Sequence, residues 1–215
     1  MTVSLQQHAP PFRTVVEGFD SYPLLHVNRL GEFMADAQFD PGGFFQFDMA
    51  HGSVRSRGGS RVLVLSEDVL APLIVTAVNN GDLTAVRAMG SQLGELVARG
   101  LPGPASNLAP EVVISHAANV VSLFGWGRLR LERWGEALVL EVDGLPPLDE
   151  DNLALAALLG GMLSTLCRVE VACVPLAQSA QYLVVDPSIA EHIWAWSKSG
   201  ESLSVIVGRL GRKEA

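Results

Sequence analysis

Apolar positions recur along this chain at two periods, one of three to four residues and one of two, and their succession predicts its elements. From Pro23, the residues Leu24, Val27, Leu30 and Met34 carry helical spacing, which Asp40-Pro41-Gly42-Gly43 ends. Residues 44–49 and 53–57 read as short strands around His51-Gly52, and 61–65 as a third strand after Gly58-Gly59. Ser66 is placed to cap a helix whose first turn holds Glu67 and Asp68 and whose apolar face is Val69, Leu70, Leu73, Ile74, Ala77 and Val78. Asn80-Gly81 ends it. Asp82 caps the next, with Leu83, Val86, Met89, Leu93, Leu96 and Val97 on one face and Gly100 as its stop. Gly90 and Gly94 lie inside that helix, where each costs about 1 kcal/mol relative to alanine. Close approach of a second helix is the expected compensation.

Residues 101–110 are rich in Pro and Gly and read as a loop within one domain. A helix over 111–124 follows, ended by Gly125. Strands over 128–133 and 137–142 are joined at Trp134-Gly135-Glu136, with Leu129 and Leu131 on one face and Arg128, Arg130 and Glu132 on the other. A very apolar helix is predicted over 153–166, then strands over 169–174 and 182–185, then a helix from Asp186-Pro187-Ser188 through Ile189, Ile193 and Trp196 to Gly200. Leu203, Val205 and Val207 alternate, so the last segment reads as a strand. Helices interleaved with antiparallel strand pairs indicate an α+β fold: an antiparallel sheet with helices packed on it. The expected organisation is an N-terminal arm over 1–20 and a single compact domain over 21–215.

Composition narrows the function. Charged residues are 18% and apolar ones 48%, mean hydropathy is +0.28, and 15 basic against 23 acidic residues give a net charge of −8. Such a chain is too apolar for disorder and too acidic to hold nucleic acid by counterion release. So few charges leave apolar surface that a subunit interface would cover, so a homo-oligomer (dimer or higher) and a protein partner are expected. The apolar run 152–167 is shorter than the roughly 20 residues that span a bilayer, and the first residues lack the pattern of a secretory signal. No transmembrane segment is expected, and the cytoplasm is the expected location. Cys167 and Cys173 read as buried thiols.

Chemistry-bearing motifs are scarce. Gly125-Trp126-Gly127 opens like a dinucleotide fingerprint, but Arg130 stands where the third glycine belongs and a strand follows instead of a helix. There is no phosphate-cradling loop and no nucleophile elbow. His8, His26, His51, His116 and His192 are scattered. Asp149, Glu150 and Asp151 precede a helix, where they complement its dipole. Arg128, Arg130 and Arg133, interleaved with Glu132 and Glu136, suit a solvated sheet face or a partner contact. The expectation is a protein with no catalytic residues, no metal ligands and no cofactor, not an enzyme. Phe124, Trp126 and Trp134 bracket the helix-to-strand junction and, with Met162, are the candidate lining of an apolar ligand pocket; ordinary core packing is the alternative.

The stretch from Ala118 through Phe124-Gly125-Trp126-Gly127-Arg128 to Glu132 resembles a helix–Gly-Trp-Gly–strand element of two related bacterial families. One is the 4-vinyl reductase-type domain, a small-molecule-binding module of regulators. The other is the D-type accessory protein of cellulose synthase, a noncatalytic oligomeric component of cellulose export. Leu159-Gly160-Gly161-Met162, Val169 to Cys173 and Tyr182 to Val185 follow in the same order, and Leu30-Gly31-Glu32-Phe33 and Gly59 to Val64 fit the leading half of the first family. The vinyl-reductase-type domains commonly carry further cysteines near the last strands; Gln178 to Tyr182 has none. The function expected from the low charge, the glycine-bearing helices and the absence of a catalytic constellation is a noncatalytic homo-oligomeric adaptor or scaffold with an apolar ligand pocket, and both families imply a noncatalytic role as well. Its alternatives are a sensor of a small hydrophobic molecule and a structural component of a polysaccharide synthesis or export complex.

Overall fold

In the computed structural model, residues 43–135, 137–176 and 179–210 are described. The predicted arm over 1–20 and the helix from Pro23 to Met34 lie outside them. Three strands, β1 (Phe45–Asp48), β2 (Ser53–Ser56) and β3 (Arg61–Val62), form an antiparallel sheet in that order. Two helices follow, α1 (Glu67–Asn79) and α2 (Thr84–Gly100), then a single 3-10 turn at Ala105–Asn107 and α3 (Pro110–Leu123). The hairpin β4 (Arg128–Trp134) and β5 (Ala137–Asp143) leads into α4 (Leu153–Cys167). After it come β6 (Ala172–Pro175), β7 (Gln181–Val185), α5 (Ala190–Lys198) and α6 (Leu203–Leu210). The second sheet is antiparallel throughout, in the order β4-β5-β7-β6. This is an α+β fold.

Strand alternation decides which helices cover which side of the second sheet. Leu140, Val142, Cys173 and Tyr182 face a core shared with α2, α3 and α4. Val139, Val174, Leu183 and Val185 face a second core with Ile193 of α5 and Ile206 of α6. Both faces are therefore covered at the central strands β5 and β7, which carry near-continuous apolar runs, while Arg128, Arg130 and Glu132 of the edge strand β4 stay at least partly exposed to solvent.

The helix α4 is apolar on all sides and almost wholly buried, and it lies against α2. Four glycines allow that contact. A Cβ on Gly90 would sit on the Leu158 carbonyl, and one on Gly161 would sit on the Arg87 carbonyl. A Cβ on Gly94 would come within 2.8 Å of both the Met162 carbonyl oxygen and Thr165 Cβ, and one on Gly160 within 2.7 Å of the Arg87 guanidinium. Gly90 and Gly94 thus face a helix of their own chain. Asp82 lies one residue before Leu83, the N-cap of α2, and its carboxylate closes the turn into the helix by accepting the Thr84 N–H at 3.0 Å. Ser66 holds the N-cap position of α1, but its side chain makes no capping bond.

Three strand expectations are corrected. Residues 203–210 form a helix, because Leu203, Ile206, Val207 and Leu210 at helical spacing face the second core, and the fully buried residue is Ile206, not an alternating one. The strand predicted over 61–65 stops at Val62: the pairs Val54–Val62 and Arg55–Arg61 set a register that carries residues 64 and 65 past the start of β2 at Ser53, and Leu63, Val64 and Leu65 run on unpaired, exposed at 77%, 72% and 55%. The last strand pair is also shorter at its start, β6 beginning at Ala172 rather than at residue 169.

Gly90→Ala and Gly161→Ala should each lower unfolding free energy by about 1–3 kcal/mol, since overpacking outweighs the alanine propensity gain. Gly208→Ala on α6, where a Cβ meets open space, should raise stability by about 0.5–1 kcal/mol. Urea unfolding of the three variants checks both signs.

Candidate functional site

The four residues read as a pocket lining do not sit together. Phe124 ends α3 half-buried, its ring edge-on to Phe44 and Phe45 at centroid distances of 6.3 and 5.6 Å. Trp126 and Met162 are buried members of the core between the second sheet and α2, α3 and α4, and Phe124 packs against that core. Trp134 ends β4, about 20 Å along the strand from Arg128 at 3.3 Å per residue. It is 40% exposed, and its indole N–H donates to Glu132 Oε2 at 3.0 Å. The structure gathers three of the four around one core and leaves Trp134 at its outer edge.

That core holds a polar group the motif reading passed over. Tyr182 stands in β7 opposite Leu140 of β5 and Pro175 of β6, with 0% of its surface exposed. Its hydroxyl has no hydrogen-bond partner among the described residues. A buried hydroxyl normally finds one, and leaving it unpaired costs about 1–3 kcal/mol. Burial, reinforced by the Asp149 carboxylate, pushes the phenol far above its ordinary range. Cys173, in the next strand and in the same core, is pushed by burial to about 12, against a partial pull from Arg87. Neither group ionises at neutral pH, so neither is a nucleophile in the folded chain. The signal in the sequence was strand parity, since Tyr182 shares the inward parity of Val184.

An open groove of about 450 Å³ lies between α2 and the end of α4. Its walls include Ser91, Glu95, Thr165 and Arg168. Beside them Arg87 donates to Ser164 Oγ and to the Val171 carbonyl, each at 3.0 Å, and pairs with Glu170. Ser164 Oγ in turn donates to the Gly160 carbonyl at 2.8 Å and accepts the Val171 N–H at 3.0 Å. Thr165 donates to the Gly161 carbonyl at 3.0 Å. These groups are spent on the backbone: they clamp the turn after α4 to α2.

Other polar clusters resolve into structural roles. Asp149 accepts the Leu153 and Ala154 N–H groups at 2.7 and 2.9 Å, capping α4, while Asp151 pairs with Lys198 at 2.8 Å. Arg130 bridges to Asp143 at 2.7 Å and Glu141 at 3.4 Å across the β4–β5 face. His51 pairs with Asp48 at 2.8 Å on an exposed hairpin. Among the described residues no group of three or more His, Cys, Asp or Glu side chains could hold a metal ion, and no helix is long and apolar enough to cross a membrane.

No protein-family model matches the chain, and no curated protein matches it. Among solved structures it is similar to the phenol-responsive sensory domain of the transcription activator PoxR, solved with phenol. The identity is 13% and the TM-score 0.45, over 71% of this chain and 90% of that one. It is a distant likeness.

Two outcomes are expected. Ser164→Ala strands the buried Val171 N–H and should cost about 1–3 kcal/mol in urea unfolding. Raising the pH should also destabilise the fold. Cys173 and Tyr182 hold their protons more tightly folded than unfolded, so stability is full below their ordinary values of 9.0 and 10.0 and falls as pH climbs beyond them. Cys173→Ala should remove the part of the fall that begins near pH 9, and Tyr182→Phe the part that begins near pH 10, in melting curves across pH 8–12.

Proposed function

We propose that this chain is a noncatalytic sensor of a small, mainly apolar molecule that carries one hydrogen-bonding group. The molecule is held in the core between the second sheet and α3 and α4. The observation that carries the reading is the Tyr182 hydroxyl, fully buried among apolar side chains and without a partner among the described residues. A ligand oxygen or nitrogen reaching it would recover the cost of that orphaned group, while Trp126 and Met162 offer apolar and aromatic contact in the same core. The ligand class follows: a ring or short chain for the apolar surface, and a single hydroxyl, carbonyl or amine for Tyr182.

A homo-oligomeric adaptor is the second reading. Its support is the run of exposed apolar side chains at Leu63, Val64 and Leu65 with Val69 and Leu73 of α1, which a second copy would cover in an oligomer.

Native mass spectrometry of freshly purified protein should show a small additional mass that leaves on denaturation. Added phenols and short alcohols should raise the melting temperature in proportion to their binding. Tyr182→Phe should weaken that binding about tenfold while leaving ligand-free stability equal or higher, because it deletes an unpaired buried hydroxyl. The sensor reading fails when neither mass nor melting shift is found, or when Tyr182→Phe binds as tightly as the parent chain.

A further inference from the structure

The apolar strip needs an occupant, and the chain supplies a fitting one. Five large side chains are exposed in one short stretch: Leu63, Val64 and Leu65 as above, Val69 at 54% and Leu73 at 65%. Of the thirteen residues of α1, Ile74 is the buried one, although the helix is apolar around most of its circumference. A helix of that composition is ordinarily enclosed.

Residues 1–42 precede the first described residue, Gly43. Phe44 and Phe45 seat edge-on against Phe124 and so fix the point where the preceding chain meets the body. From there the strip is close. Phe47 of β1 stands opposite Val54 of β2, and Val54 opposite Val62 of β3, so two strand spacings of about 4.8 Å separate β1 from the residue before Leu63. Residues 35–42 can span up to about 26–29 Å at 3.3–3.6 Å each, which covers that distance with slack. Upstream of this connection Leu24, Val27, Leu30 and Met34 fall within an arc of about 120° at 100° per residue, with Arg29 and Glu32 outside it. An apolar arc of that width is what a surface helix buries.

We propose that residues 23–34 of this chain dock through Leu24, Val27, Leu30 and Met34 on the strip formed by Leu63, Val64, Leu65, Val69 and Leu73. The occupant is the chain's own segment rather than a second copy. Tethering argues for it: eight residues hold the segment beside the strip at an effective concentration in the millimolar range, which a partner from solution must exceed. The proposal stands apart from the sensor reading, which concerns the interior of the fold.

The test uses the full chain with Cys167→Ala, so that a reporter thiol is not confused with the half-buried native one. Leu73→Cys in this background is alkylated with a maleimide, with and without Val27→Asp and Leu30→Asp. The expected result is labelling about tenfold slower with the native segment than with the two aspartates, at a rate independent of protein concentration. Val205→Cys, on α6 and 47% exposed, serves as the control and should label equally in both backgrounds, showing that the aspartates have not unfolded the body. Equal labelling of Leu73→Cys in the two backgrounds overturns the proposal. So does protection that grows with protein concentration, which would assign the strip to a second copy.

Discussion

The close crossing of α2 and α4 is the constraint on which the remaining structure depends. Gly90 against the Leu158 carbonyl and Gly161 against the Arg87 carbonyl bring two backbones to a separation that any side chain would prohibit. That separation places Arg87 within reach of Ser164 and Val171, so the clamp on the turn after α4 exists only because the helices touch. The turn in turn sets where β6 begins, and β6 closes the sheet beside β7. Leu158, Leu159 and Met162 share the core with Tyr182, which covers that face of the sheet with hydrocarbon. The glycines oppose helix formation by about 1 kcal/mol each, and dispersion and burial along the shared surface offset it.

Much of this was legible in the sequence. The turn at Asp82, the start at Asp186-Pro187-Ser188, the stops at Gly100, Gly125 and Gly200 and the paired alternation of β4 and β5 located the elements they bound to within a residue or two. Asp186 accepts from the Ser188 N–H and hydroxyl at 2.8 and 2.6 Å, a local contact that needs no tertiary knowledge. What failed was pattern in short windows. Leu203, Val205 and Val207 satisfy a two-residue period by coincidence, and only the core beneath α5 reveals that Ile206 is the inward residue. The run 61–65 has the composition of a strand, yet strands exist in pairs, and no single-sequence pattern shows that the register carries the run past the start of β2.

The candidate site was half legible for a similar reason. Aromatic residues near Gly125 drew notice because they cluster in the sequence, and neighbours at a helix-to-strand junction can be expected to share a core. Trp134 belonged to the cluster by number alone, since a seven-residue strand carries it away from Phe124. Tyr182 had no motif to advertise it. Its importance comes from what surrounds its hydroxyl, and an unsatisfied atom is a property of three-dimensional packing.

The ends of α4 have a bearing on how this protein can change over time. Asn152 and Arg168, the residues flanking the helix, both adopt left-handed backbone at φ 56°. Asparagine tolerates that conformation; arginine does so at a cost of about 1–2 kcal/mol. With both junctions pinned, the fifteen residues between them have no room to slip. Inserting or removing one would turn Gly160 and Gly161 by about 100° relative to the Asp149 cap and present Leu159 or Met162 to α2 in place of one of them. Length variation among descendants of this sequence is therefore confined to places such as residues 101–109, while α4 can drift in composition but not in residue count.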